Sequence, residues 1–372
     1  MMKEKTVLSV ICAIFALLLG ASCTPQEQPG GAVTIILSSG APETRASAEV
    51  SDGQEIQMNA GVPDLLLLLF NSQGTLVAKY PDPGHAELLD PPVPTGSDLM
   101  IRITKTTGNA SIPEGTYSIY ALANTAGLWS LTNGSSTISE GSFTNSSITS
   151  KAQADLLYFS PLFAANSVSK PHLALRNNPN DLLPLSAIGS VSVSAGGNGT
   201  AEVQLKRCAS QVVVQFDNRY GAELGLENFS VTFKDLNTST GYLFPHNPDI
   251  PAGIVYADLM QSESPVTLLD NTNPANAVKT YSALVFPGTA PEGFYTCDIS
   301  FDVTSVDGTP LASSRSFSFT DLPVHNNRGQ DITSLARNQK LTITVTISQG
   351  TMLSFSFDVG EWDGITENVT FD

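Results

Sequence analysis

Short runs of alternating apolar and polar residues recur along most of the chain, whereas the helical periodicity of about 3.6 residues is scarce. These runs predict β-strands over residues 33–37, 65–70, 99–103, 117–122, 190–194, 202–205, 211–216, 230–233, 281–286, 295–303, 315–319, 341–347 and 353–359. Turns rich in Gly, Pro and Asn separate them. The run over 65–70 is apolar throughout, which predicts a strand buried on both faces. The pattern therefore indicates an all-β protein.

The predicted strands fall into two groups. Residues 123–180 are less regular: 130–151 is rich in Ser, Thr, Asn and Gly and is predicted as an exposed, loop-rich excursion, with a short helix near 151–157. A glycine cluster at 195–200 then precedes a new pair of strands. A chain of 372 residues is long for one hydrophobic core. We therefore predict two tandem β-sandwich domains, over 46–195 and 196–372.

The first 46 residues carry two processing signals. Residues 1–22 join a charged start to an apolar run that is too short to span a bilayer, which is typical of a secretory signal peptide. Cys23 follows small residues, which predicts a lipoprotein acylated at this thiol; the alternative is ordinary signal cleavage that leaves Cys23 free. A polar tether and the strand over 33–37 come next. The isolated Arg45 then lies in a polar segment that suits cleavage by a trypsin-like protease before Ala46, although many loop arginines are never cut. Residues 23–45 are thus predicted to be a lipid tether with an excisable first strand.

Composition narrows the function further. The formal net charge of −17 argues against a nucleic-acid partner. Cys208 and Cys297 lie in strand-like segments, where they form one disulfide or two separate buried thiols. No residue spacing matches a zinc site, an EF-hand, a nucleophile elbow or a phosphate-binding glycine loop. All four histidines lie beside Pro, Gly or Asn in predicted loops: His85, His172, His246 and His325. We expect no cofactor, no metal and no enzymatic activity.

Four features in order along the chain resemble the fimbrillin family of Bacteroidetes, the lipoprotein pilins of type V pili. They are the lipoprotein signal ending at Cys23, a strand followed by Thr44-Arg45-Ala46, the segment Leu205-Lys206-Arg207-Cys208-Ala209, and Arg337-Asn338 before a hairpin that closes on Val359-Gly360-Glu361-Trp362. The third is a Leu-x-Arg-x-Ala pattern, whereas the family's own pattern is usually spaced about a residue differently. The order and spacing of these features over nearly the whole chain carry the resemblance.

The resemblance implies two transthyretin-like sandwich domains and a place in a pilus at the outer membrane and cell surface, where the pilus mediates adhesion. Val33, Ile35 and Leu37 would fill a groove in the N-terminal sandwich until a trypsin-like protease removes the first strand. A C-terminal strand of a neighbouring pilin, in a homo- or heteropolymer, would then replace it. The candidate donor strand lies within 353–372 and carries Leu353, Phe355, Phe357 and Val359. Before cleavage, the acylated Cys23 would hold the chain at the outer membrane.

Two alternatives remain open. The strands over 341–347 and 353–359 also fit an ordinary hairpin that turns at 348–350 and stays inside its own sandwich. A non-polymerising surface lipoprotein, such as a pilus anchor, a tip protein or a module that binds glycans or host proteins, is the second function. Trp129 would serve such a module as a sugar platform, but we expect a packing role for Trp129 and for Trp362.

Overall fold

The computed structural model of the protein describes residues 31–38, 65–80, 89–95, 98–108, 110–123, 130–133, 136–139, 148–157, 163–164, 174–175, 185–273, 275–276, 278–326, 328–349 and 353–361. Within these ranges nearly all regular structure is β. Up to residue 207 the strands are β1 (Val33–Ser38), β2 (Leu66–Phe70), β3 (Leu76–Tyr80), β4 (Leu89–Thr95), β5 (Asp98–Ile103), β6 (Gly115–Ala123), β7 (Ser130–Asn133), β8 (Ser136–Ser139), β9 (Phe163–Ala164), β10 (Ala174–Leu175), β11 (Leu185–Val193), β12 (Gly199–Gln204) and β13 (Lys206–Arg207), with helix α1 (Lys151–Asp155).

The later strands are β14 (Ser210–Arg219), β15 (Leu224–Asn237), β16 (Tyr256–Glu263), β17 (Val266–Leu268), β18 (Lys279–Val285), β19 (Gly288–Thr289), β20 (Thr296–Val306), β21 (Thr309–Pro323), β22 (Ser334–Leu335), β23 (Gln339–Ser348) and β24 (Ser354–Glu361). Seven of them overlap predicted strands and most of these run beyond the predicted bounds, whereas β16, β17, β19 and β22 were not predicted. The extension follows from the ladder, because hydrogen bonding continues into polar residues that alternation alone does not mark.

The two larger sheets in the N-terminal part of the described chain form a sandwich. One has the order β12-β1-β5-β4 and the other the order β13-β11-β6-β2-β3. Buried side chains from both sheets form one apolar cluster, so the sheets pack face to face. We call this cluster the N-terminal core: Val33, Ile35, Leu37, Leu65, Leu67, Leu69, Ala78, Ile101, Ile103, Ile112, Tyr117, Ile119, Ala121, Ala123, Leu185, Ala187, Val191, Val193, Ala201, Val203 and Leu205.

Two further sheets, of order β18-β14-β23-β24 and β16-β15-β20-β21, make up the C-terminal part, and β17 pairs beside β15. Aromatic rings join them. Phe216 of the first sheet meets Phe229 and Phe301 of the second edge-on, with ring centroids 5.0 and 6.0 Å apart. The same cluster takes in aliphatic residues of both sheets. The predicted all-β sandwich fold is confirmed.

The leucine-rich strand β2 is buried on both faces, as its sequence predicts. Leu67 and Leu69 enter the N-terminal core, whereas Leu66, Leu68 and Phe70 point the other way. This second face joins a cluster that continues into the C-terminal sandwich, and the ring of Tyr120 lies 5.2 Å from Phe70 and 4.9 Å from Phe244. The two sandwiches therefore share apolar packing, since strand β2 has no face left for water.

The sheet pairings place the change from one sandwich to the other after residue 207, which differs from the predicted boundary between 195 and 196. Strand β12 pairs with β1 in parallel, and Lys206 and Arg207 of β13 pair with β11. The glycine cluster at 195–200 is therefore a turn between two strands of the N-terminal sandwich. Sequence alone suggests a linker there because glycine-rich turns and linkers share a composition.

The irregular segment between β6 and β11 holds one prediction that is confirmed and one that differs. Helix α1 forms with a capping box: the Gln153 amide donates to Ser150 Oγ over 3.3 Å, and the Ser150 amide donates to Gln153 Oε1 over 3.2 Å. The supposed loop over 130–151, however, contains the antiparallel pair β7 and β8. The Asn-Gly dipeptide at 133–134 is the local signal for that hairpin.

Candidate functional site

Strand β1 occupies an interior position in its sheet. It pairs in parallel with β12, from Val33 opposite Gly199 to Ser38 opposite Gln204, and antiparallel with β5, from Val33 opposite Ile103 to Leu37 opposite Leu99. The first described strand of the chain thus fills the space between two strands that do not pair with each other. Without β1, this space would be a groove with unpaired backbone on both walls.

The side chains of β1 alternate as the sequence predicts. Val33, Ile35 and Leu37 have no exposed surface, whereas Ile36 faces the other way and is half-buried. Ile101 and Ile103 of β5 are also without exposed surface and belong to the same core. The structure therefore places the three predicted groove-filling residues together on one apolar face. Their release after cleavage stays a prediction.

The ends of β1 are fixed by further hydrogen bonds. At one end the Ala32 amide donates to Asn198 Oδ1 over 3.0 Å, and the Gly199 amide donates to the Ala32 carbonyl oxygen over 2.8 Å. At the other end the Leu205 amide donates to the carbonyl oxygen of Ser38 over 2.8 Å. Asn198 is a contact that the sequence analysis missed, because only the parallel pairing of β1 with β12 brings it near Ala32.

The candidate donor strand β24 lies at the edge of its sheet. It pairs antiparallel with β23 on one side, and no described strand pairs with its other side. Leu353, Phe355, Phe357 and Val359 pack against the C-terminal core but keep part of their surface exposed. The Phe355 ring lies 5.0 Å from Phe319 of β21. This arrangement is that of the hairpin alternative; whether β24 leaves its sandwich stays a prediction.

A buried arginine joins the two sandwiches. The guanidinium of Arg337 forms an ion pair with Asp249, and their side chains are 8% and 15% exposed. It also donates to Ser186 Oγ of β11 over 2.8 Å and to the carbonyl oxygens of Tyr242 and Phe244, each over 3.1 Å. The guanidinium is thereby satisfied without water. In the sequence, Arg337 is distinguished only by the resemblance, and its partners lie in distant segments.

Cys208 and Cys297 are two free, buried thiols, so the unpaired alternative holds. Burial raises the pKa of both, that of Cys297 to about 12. Cys208 Sγ also lies 3.3 Å from Ser186 Oγ, beside the buried arginine. A buried thiol with a raised pKa is a poor nucleophile, which gives both residues a packing role.

Three aspartates of the C-terminal sandwich make local contacts within the protein. Asp302 accepts from Asn228 Nδ2, Asp307 accepts from the Glu223 amide, and Asp321 forms an ion pair with Lys234. Among the described residues no group of His, Cys, Asp and Glu is arranged to hold a metal ion. Nor does any helix among them have the length and apolar character needed to cross a bilayer. Several predicted features lie outside the described residues: the signal peptide, Cys23, Arg45, Ala46, His85, Trp129, His172 and Trp362.

No protein-family profile and no curated protein matches the chain. Among solved structures, a presumed cell adhesion protein from Parabacteroides distasonis is similar with a TM-score of 0.52 and 12% identity, over 92% of this chain and all of that one. A presumed cell adhesion protein from Bacteroides eggerthii has a TM-score of 0.49 and 14% identity, over 90% of this chain and 96% of that one. A C-terminally truncated tip fimbrial protein from Porphyromonas gingivalis has a TM-score of 0.45 and 12% identity, over 90% of this chain and 100% of that one. At such identity the likeness is one of fold alone.

Proposed function

We propose that this protein is a structural subunit of a cell-surface fimbria, which is exported as a lipoprotein, cleaved after Arg45 and polymerised by strand exchange to mediate adhesion. The observation that carries the proposal is the position of β1. It is an interior strand, it fills the N-terminal core, and it precedes Arg45 in the chain. A cut after Arg45 would leave β1 held by noncovalent contacts alone.

The energetics of β1 suit a strand that is held firmly but is replaceable. Burial of Val33, Ile35 and Leu37 contributes about 5–9 kcal/mol gross. Its loss would expose the N-terminal core and two unpaired strand edges, on β12 and β5. Such a groove has high affinity for an alternating apolar strand, because β-strand addition satisfies the backbone and the core together.

The proposed source of the replacing strand is the C-terminal strand of a neighbouring subunit. In this chain its alternating apolar residues, which we call the C-terminal comb, are Leu353, Phe355, Phe357 and Val359. In this chain β24 is an edge strand with one partner and with partly exposed apolar side chains. It can leave its sheet with the loss of one ladder, whereas β1 would lose two. The fold likeness to a presumed cell adhesion protein agrees with a surface role.

A second function rests on the same hairpin. The pairing of β24 with β23 from Gln339 opposite Glu361 to Thr346 opposite Ser354 is that of a completed C-terminal sheet. A chain that keeps both β1 and β24 in place would be a non-polymerising surface lipoprotein: a pilus anchor, a tip protein, or a module that binds glycans or host proteins.

Arg45 is the residue that tests the proposal. The chain is produced in cells that also make its partner subunits, and the surface fraction is treated with limiting trypsin. The new N-terminus of the chain is sequenced, and its size is followed on a gel without denaturant. We expect the wild type and the control Arg45→Lys, which keeps a trypsin site, to begin at Ala46 and form ladders. Arg45→Ala should remain a folded monomer. Ladders of equal length from Arg45→Ala would contradict the proposal and favour a non-polymerising lipoprotein.

A further inference from the structure

The groove occupied by β1 narrows at one end, where Val193 and Gly197 lie against Gly31. We call this narrow end the stop. A β-carbon added to Gly31 would lie 2.7 Å from Val193 Cγ1 and still closer to the carbonyl oxygen of Gly197. Real β-carbons do not approach other atoms so closely, and a backbone carbonyl cannot swing aside as a long side chain can. The backbone of Gly31 is not in the left-handed region, so space and not conformation demands glycine here.

The wall opposite Gly31 is itself tightly packed. It is the turn between β11 and β12, in which the Gly197 amide donates to the Ser194 carbonyl oxygen over 2.9 Å. A β-carbon on Gly199 would lie 2.7 Å from both the Ser192 carbonyl oxygen and Val191 Cγ2. The turn therefore has little room to retreat from a larger residue. The glycine cluster that composition alone suggests is a linker is, in the structure, the end wall of the groove.

The stop fixes the register of any strand in the groove. Val33, Ile35 and Leu37 follow Gly31 at steps of two, four and six residues, and each fills its site without exposed surface. A strand shifted by one residue would turn its polar face to the core. A strand shifted by two would place a side chain against the stop. A phenylalanine at the three core sites would add a ring to a region that aliphatic side chains already fill.

The C-terminal comb of this chain does not meet these requirements in either direction. With three comb residues in the core sites and the strand parallel to β1, the residue at the stop is Thr351 or Leu353. With the strand antiparallel to β1, it is Glu361 or Val359. Gly360 is out of phase with the comb. Every register also puts at least one phenylalanine into a site that holds Val, Ile or Leu.

We infer that the N-terminal groove selects a strand from a different chain, with glycine at the stop and aliphatic residues two, four and six positions beyond it, and excludes the C-terminal strand of a second copy. The inference rests on the proposed function and names the partner for the same groove. The aromatic comb of β24 would then belong in the wider groove of another subunit. The polymer would then contain more than one kind of subunit, and the groove of this chain would always receive its strand from a subunit of another kind.

Peptide exchange tests the inference. Full-length chain cut after Arg45 is incubated with labelled peptides, and bound label is measured by size exclusion. One peptide reproduces residues 31–38, one carries Gly31→Val, one carries Ile36→Lys at the outward position as a matched control, and one reproduces residues 351–361. The 31–38 and Ile36→Lys peptides should enter equally. The Gly31→Val and 351–361 peptides should bind about tenfold more weakly or not at all.

Entry of the 351–361 peptide with the affinity of the 31–38 peptide would overturn the inference and indicate a homopolymer. Equal entry of the Gly31→Val peptide would show that the groove does not require glycine at this position, which would overturn the inference. If no peptide enters, including the one that reproduces residues 31–38, strand exchange itself fails and the proposed function falls with the inference. The outcomes separate the two failures, because the first two leave exchange intact.

Discussion

Strands β1 and β24 are two alternating apolar combs of similar length, yet the fold uses them differently. Strand β1 is aliphatic, lies between two partners and buries its comb completely. Strand β24 is aromatic, has one partner and keeps its comb partly exposed. Alternation alone therefore predicts a strand with one apolar face, whereas position in the sheet decides how firmly the strand is held.

Charge sharpens the contrast between them. Strand β1 carries no charged residue, whereas β24 carries Asp358 between Phe357 and Val359. Burial raises the pKa of Asp358, so the ionised form is less favourable in the folded chain than in water. The carboxylate of Asp358 in β24 is therefore more favourable when the strand is exposed to water, and β1 contains no such charged group.

Deletion of each strand in turn should show the largest difference between β1 and β24. A chain that lacks residues 1–45 loses β1 and the gross burial of about 5–9 kcal/mol, so we expect strong binding of a hydrophobic dye and loss of the monomer. A chain that lacks residues 353–372 should keep an intact N-terminal core and bind less dye, because β24 is half-buried at an edge. Dye fluorescence and size exclusion measure both. Equal effects of the two truncations would remove the distinction.

Single substitutions should reproduce the contrast on a smaller scale. Ile35→Ala should lower the free energy of unfolding by about 2–5 kcal/mol, because it leaves a cavity in a closed core. Phe357→Ala should lower it by about 1–2 kcal/mol, since its ring is only partly buried and its site can collapse or fill with water. Urea unfolding followed by circular dichroism measures both, with the outward Ile36→Ala as the control for β1. A larger loss for Phe357→Ala than for Ile35→Ala would show that β24 is the more tightly held strand.

The smallest expected effect concerns Asp358. Its folded pKa lies above the ordinary value of 3.8, so protonation favours the folded chain. The stability due to this group is therefore highest at low pH and declines as pH rises from the unfolded pKa to the folded pKa. Asp358→Asn should be more stable than the wild type at neutral pH by less than about 1 kcal/mol, given partial exposure. The advantage should vanish in acid. Thermal unfolding across this pH range tests it, and an Asn variant that is less stable at neutral pH would contradict the assignment.

Local patterns predicted the fold well where the physics is local. The alternation in β1 and the two apolar faces of β2 follow from side-chain period alone. Strand β4 was missed because Pro91, Pro92 and Pro94 argue against a strand. It forms at the edge of its sheet, where a missing amide hydrogen costs least.

The sequence does not predict which distant strands pair with each other. Strand β12 lies 166 residues beyond β1 in the chain, and no local feature marks the two as parallel neighbours. For the same reason the glycine cluster at 195–200 resembled a linker and not the end wall of a groove. The partners of Arg337 come from three separate segments, so its buried network was equally invisible.

The position of β12 also determines how the molecule carries tension. A strand seated beside β12 and pulled along its axis loads its ladder hydrogen bonds together, in shear, instead of opening them one at a time. From β12 the chain passes through β13 directly into β14, an interior strand held between β18 and β23. A pull on the groove therefore travels along one short stretch of backbone from the edge strand of one sheet to an interior strand of another. The two sandwiches therefore act as links in series.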